Sequence, residues 1–210
     1  MFGGKGLSES HTRVSPLRER LLAAAHDLFH RLGVRGVGVD AIAEAAGTNK
    51  MTLYRHFESK DDLIVAYVRA VAAEADLMWD SIEKENPGDG EAQLRSWLAR
   101  AESCISADGR GCDLANAAAE LTEEDHPARR LIEEVKTVQR DRLVELCRNA
   151  DIARPELVAD TLTLLLEGAR ASRQAAGTNG PSAGFTAMAE NVIEASKRKP
   201  RTGHGRARRK

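Results

Sequence analysis

The stretch Val39-Asp40-Ala41-Ile42-Ala43-Glu44-Ala45-Ala46-Gly47-Thr48-Asn49-Lys50-Met51-Thr52-Leu53-Tyr54-Arg55-His56-Phe57 decides how this chain folds. Its apolar spacing predicts two short helices, over 39–46 and 50–56, separated by Gly47-Thr48-Asn49. Two short helices that cross need a small residue where they touch, and Ala43 supplies it. Four residues later the backbone must turn left-handed, which Gly47 does without a Cβ penalty. Six residues further on, Leu53 is placed to plug the second helix into the first. Ile42 and Phe57 complete a small core, and the result is a helix-turn-helix.

The residues left over have a consistent chemistry. At about 100° per residue, with Leu53 and Phe57 facing inward, Met51, Thr52 and Arg55 point away from the protein. Lys50, Tyr54 and His56 lie on the flanks, and Lys60 follows. An Arg fork reaches guanine O6 and N7, and a Met touches a thymine methyl. Flanking Lys, Tyr and His hold phosphates. Thr48 and Asn49 cap the second helix and present backbone N–H groups to phosphate. The bland alternative is a compact helical hairpin with a charged outer face. This clustering of polar, basic and aromatic residues favours double-stranded DNA as the partner.

Working outward, the chain reads as helices throughout. Pro16 opens a helix with the apolar face Leu21, Leu22, Ala25, Leu28, Phe29 and Leu32, which Gly33 stops. Ser59 caps a long helix from Lys60 to about Glu85, with Asp61 and Asp62 complementing its dipole. Asn86-Pro87-Gly88-Asp89-Gly90 breaks it. Further helices are expected over 91–107, 113–123, 127–150, 155–176 and 182–197. The expected organisation is a flexible N-terminus (1–14), a DNA-binding domain (15–60), a larger helical domain (61–196) and a basic disordered tail (197–210).

Charge divides along the same lines. The formal net charge is only −1. Residues 11–60 nevertheless carry 8 Lys/Arg against 5 Asp/Glu, and residues 61–196 carry 14 against 26. The final 14 residues hold 8 basic side chains and no acid. Only head and tail suit polyanions. An acidic body argues against an architectural DNA-bending protein. The opening MFGGKGLSESHTRVS has no apolar stretch like that of a signal peptide, and no run is long enough to span a membrane; a cytoplasmic protein is expected. No nucleophile–base pair, metal set or cofactor loop stands out, so neither an enzyme nor a cofactor is expected. His26 and His30 share a helix face at i, i+4 but lack a third ligand, and read as polar residues on a solvated flank.

The segments Val39 to Gly47, Leu53-Tyr54-Arg55-His56-Phe57 and Ser59-Lys60-Asp61-Asp62-Leu63 together resemble the tetracycline-repressor (TetR) family of regulators. Gly38 departs from the family's frequent Thr or Ser cap on the first of these helices, which removes a hydroxyl contact to phosphate. The stretch 111–121 also resembles a regulatory-domain segment in one branch of the family. The resemblance covers about residues 15–196. It implies an all-α fold of about nine helices, a homodimer built on the last two, and a ligand cavity among the middle ones. The function expected is that of a regulator, in the first instance a repressor released from a palindromic operator by a small molecule. An activator is the alternative, since the sign of regulation depends on where the operator lies.

Candidate pocket residues are Met78, Ile82, Trp97, Cys104, Cys112, Asn116 and Glu120, which would suit a hydrophobic or aromatic ligand. Each apolar member has core packing as its plain alternative. Cys112 precedes a helix N-terminus and is the candidate for a thiol or redox sensor. Candidate interface residues are Leu157, Thr161, Leu164, Leu165, Gly168, Ala169 and Ser172, with Phe185, Met188, Val192 and Ile193 from the last helix. Serving only the monomer's own core is the other use of each stripe.

Overall fold

Proline at the first position of a helix costs no hydrogen bond, because that N–H is unpaired in any helix. The chain uses this three times, at Pro16, Pro127 and Pro155. The computed structural model describes residues 15–107 and 109–197. Among them the chain forms nine α-helices: α1 (Pro16–Leu32), α2 (Val39–Ala45), α3 (Lys50–Tyr54), α4 (Lys60–Glu85), α5 (Gly90–Ser106), α6 (Asp113–Glu120), α7 (Pro127–Asn149), α8 (Pro155–Ala176) and α9 (Phe185–Ser196). The fold is all-helical. The expected flexible segment 1–14 and all of the basic tail beyond Lys197 lie outside the described residues. No helix among the described residues is long and apolar enough to cross a membrane.

The chain divides into two units, one ending at Tyr67 and the other beginning at Val68. In the first, Leu21, Ala25 and Phe29 recur every fourth residue of α1 and are buried with Ile42, Ala43, Leu53, Phe57 and Leu63. Tyr67 meets Phe29 edge-to-face, with ring centroids 5.4 Å apart. Burial of each large apolar side chain stabilises the unit by about 1.5–3 kcal/mol. His26 also stacks edge-on against Tyr67 at 5.4 Å, and its Nε2 is buried. It is therefore not on a solvated flank, because Tyr67 of α4, remote in sequence, covers it. The start of α4 is fixed by reciprocal caps. Ser59 Oγ accepts from the Asp62 N–H at 3.0 Å, and Asp62 accepts from the Glu58 N–H at 3.3 Å.

In the second unit α8 packs against α5, α7 and α9. Its core includes Trp79, Trp97, Leu98, Leu143, Cys147, Leu162, Ala169 and Phe185. Ala169 and Phe185, expected at a subunit interface, are thus buried inside the chain itself. The 3.6-residue period marks an apolar stripe but does not say which neighbour covers it.

Two boundaries differ from expectation. Helix α6 stops at Glu120, since Leu121 leaves the helical region and its carbonyl accepts from Arg129 Nη1 at 2.9 Å. The last helix begins at Phe185, after a 3-10 turn over Pro181–Gly184.

Gly90 begins α5 hard against the end of α7: a Cβ there would lie 2.3 Å from the carbonyl carbon of Asn149. Backbone cannot yield as a side chain does. Gly90→Ala should therefore lower stability by about 1–3 kcal/mol. Urea denaturation at fixed protein concentration checks this, and an unchanged midpoint would mean that α5 and α7 are not in this contact.

Candidate nucleic-acid interface

The turn between α2 and α3 is set by backbone geometry. Gly47 sits at φ +68°, where an L side chain is strained. The N–H groups of Gly47 and Thr48 donate to the carbonyls of Glu44 and Ala43, each at 2.9 Å, closing the end of α2. Asn49 then turns extended and caps α3. Its Oδ1 accepts from the Thr52 N–H at 3.0 Å and from the Thr52 hydroxyl at 3.1 Å. At the other end of the hairpin, Gly38 caps α2 with no side-chain hydrogen bond.

Leu53 and Phe57 are buried, at 0% and 1% exposure, and they fix the roll of α3. Met51 consequently stands 71% exposed and Tyr54 43% exposed. Asn49, Lys50 and Arg55 are also exposed, while Thr48, Thr52, His56 and Lys60 are half-buried. All nine candidate residues lie in the turn, in α3, in the short connection after it and at the first position of α4. Thr52 and Tyr54 exchange the roles expected of them: Thr52 is engaged with its cap, and Tyr54 faces out. The reason is that α3 is only five residues long. Arg55 is its C-cap and His56 lies in the following turn, so a continuous helical wheel does not hold beyond Tyr54. Lys50 reaches Asp40 of α2 at 3.3 Å, but both side chains are more than half exposed, so the pair is weak.

The candidate pocket residues are not gathered in one place. The second unit has an open cleft of about 820 Å3 lined by α4, α5 and α7, and of the seven candidates only Ile82 lines it. Trp97 is buried in the core, Met78 packs on that core, and Cys104 is exposed. Asn116, half-buried, donates to the Arg110 carbonyl at 2.7 Å and so shapes the loop before α6. Cys112 and Glu120, at the two ends of α6, are also half-buried. The cleft is lined instead by Trp79, Gln93, Val138 and Val144, with Arg140, Arg142, Arg148 and acidic neighbours also at its wall. Arg140 is bound to Asp160 and Asp141, which hold its guanidinium charged. Trp79 Nε1 is buried and finds no hydrogen-bond partner among the described residues. Sequence spacing could not single out Trp79 from Trp97, since both recur on apolar faces.

Residues 21–67 match the model of the bacterial regulatory proteins of the tetR family. An uncharacterized HTH-type transcriptional regulator of Mycobacterium tuberculosis is 40% identical over 68 residues, which are 32% of this chain and 33% of that protein. The match thus spans about a third of the length of that curated relative. The structural likeness runs further. A TetR-family transcriptional regulator from Streptomyces coelicolor superposes with a TM-score of 0.79 at 28% identity, covering 87% of this chain and 96% of that one. The regulatory protein TetR from Rhodobacter sphaeroides gives 0.74 at 24% identity over 85% and 99%, a likeness of fold. The N-terminal segment 21–67 thus belongs to the tetR family of bacterial regulatory proteins, and along most of its length the chain shares the fold of TetR-family regulators.

Proposed function

We propose that the chain is a transcriptional repressor that binds a palindromic operator as a homodimer and releases it when a small molecule occupies the second unit. The observation that carries the reading is the outer face of α3. A methionine and a tyrosine stand out to solvent over a fully buried Leu53, with Arg55 beside them. Apolar and planar side chains cost hydration when exposed, and in this setting the major groove is the surface they fit. Arg55→Ala should cost about 1–3 kcal/mol and relax preference at one position per half-site. Lys60→Ala should instead weaken all sequences alike and reduce the salt slope by about 1. A binding-site selection on both variants decides. Unchanged preference in Arg55→Ala would put base reading elsewhere on the unit.

Dimerisation is supported by the stripe Leu157, Thr161, Leu164 and Gly168 on α8. Leu157 is 51% exposed and Leu164 73%, and Met188 of α9 is exposed too. Thr161, Leu165, Ser172, Val192 and Ile193 are half-buried. Two such helices from each subunit would form a four-helix interface. A Cβ at Gly168 meets nothing within 4 Å, so a larger side chain there leaves the monomer's own packing alone. Gly168→Leu should shift the chain toward monomers in sedimentation velocity while the circular dichroism spectrum stays the same. An intact dimer would move the interface to another face.

For the ligand, the cleft offers apolar wall, and Trp79 Nε1, buried behind that wall without a partner among the described residues, is a donor that a small shift of the indole would bring to it. This suits a hydrophobic or aromatic molecule that carries a hydrogen-bond acceptor. A compound that releases DNA should lose about tenfold in potency against Trp79→Phe, the worth of one buried hydrogen bond, with DNA affinity retained. Equal potency on both proteins would remove the indole from the site.

A further inference from the structure

Away from that cleft, four side chains from three segments meet beside α6. Cys112, half-buried, caps the helix, and the Lys136 ammonium on α7 lies 3.3 Å from its sulfur. The same ammonium binds Glu167 on α8 at 2.5 Å. Arg170, one turn along α8, lies 3.8 Å from Glu167 and interacts with the sulfurs of both Cys112 and Cys104. Its Nε is buried and makes no hydrogen bond among the described residues. Asp113 follows Cys112 in the chain. Burial works against the charge on Lys136, but its acidic partners Cys112 and Glu167 outweigh it and hold the ammonium above its ordinary value. A half-buried cation kept charged between a carboxylate and a thiol supplies fixed positive charge where a thiolate would form.

We propose that Cys112 is a covalent site for small uncharged electrophiles of the α,β-unsaturated carbonyl class, with Lys136 as the positioning residue beside its sulfur. The Cys112 thiol gives its proton to solvent, and the thiolate forms a C–S bond to the β-carbon. The C=C electron pair moves onto the carbonyl oxygen as an enolate, which then takes one proton at the α-carbon from the Lys136 ammonium or from water. Lys136, if it gave the proton, regains one from solvent. The net change is addition of S–H across the double bond, with no leaving group and no redox partner. Arg170 adds a second positive charge near the sulfur, which favours the oxygen as it gains charge. Of the three thiols, Lys136 contacts that of Cys112 alone among the described residues, although Arg170 also reaches the Cys104 sulfur. Cys147 is buried and pushed up to about 12, which leaves it inert, and Cys104 is exposed on α5. An adduct takes the sulfur from Lys136 and disturbs the chain of contacts joining α6, α7 and α8. That regulatory consequence rests on the function proposed above, whereas the chemistry itself does not.

The test is labelling of the full chain at neutral pH with limiting N-ethylmaleimide, followed by digestion and mass spectrometry of each cysteine; no DNA is involved. Cys112 should react no slower than the more exposed Cys104 and at least about tenfold faster than Cys147. In Lys136→Met the Cys112 rate should fall about fivefold while that of Cys104 holds, and Lys136→Arg should restore most of it. Faster labelling of Cys104 than Cys112 in the unaltered chain would overturn the proposal, because exposure alone would then rank the thiols. So would an unchanged Cys112 rate in Lys136→Met. A rise in Cys147 labelling would reveal that this variant is unfolded, and the ranking in the unaltered chain then decides alone.

Discussion

A helix of five residues has no stability of its own, since nucleation costs more than its one or two hydrogen bonds return. The α3 helix exists because Leu53, fully buried, anchors it to α1 and α2, with Phe57 and the Asn49 cap holding its two ends. That single constraint sets everything outward of it. With Leu53 inside, Met51 and Tyr54 have only solvent to face. A polar residue at 53 would free the helix to roll or melt, and the outward face proposed to read DNA would be lost with it. Phe57 is secured a second way: the Arg18 guanidinium lies 4.7 Å over its ring.

The second unit solves a different problem. Residues 61–196 carry 26 acids against 14 bases and yet pack their long helices closely. Much of the remedy is pairing across helices rather than along them. Arg140 on α7 binds Asp160 on α8, Arg142 on α7 binds Asp76 on α4, and Lys197 after α9 binds Glu91 on α5. These pairs are largely exposed and each is worth little in stability. The Lys136–Glu167 pair is the exception, being about 30% exposed on each side. Desolvation there opposes the Lys136 charge, and Cys112 and Glu167 together outweigh it.

Local rules carry far in this chain because most of its decisions are local. The prolines that open α1, α7 and α8, the glycine that turns α2 into α3, and the Ser59 cap act within a few residues of themselves, so they were legible in sequence. The apolar periods of α1 and α4 were legible for the same reason. What failed was anything requiring knowledge of a neighbour far along the chain. His26 looked solvated until Tyr67 was laid against it. The end of α6 depended on Arg129 reaching back to the Leu121 carbonyl.

The candidate site divides in the same way. By itself the sequence determined the all-helical fold, the helix-turn-helix and the identity of the residues that dress α3, because capping, turning and helical spacing are short-range. Only the tertiary structure decided that Tyr54 rather than Thr52 faces outward, that Phe185 and Ala169 belong to the core, and that Trp79 lines the cleft while Trp97 does not. It alone brought Lys136 and Glu167, 31 residues apart, to the sulfur of Cys112. A period of 3.6 residues says that a stripe is covered, but the covering partner is chosen by packing between helices that are remote in sequence, and no local pattern encodes that choice.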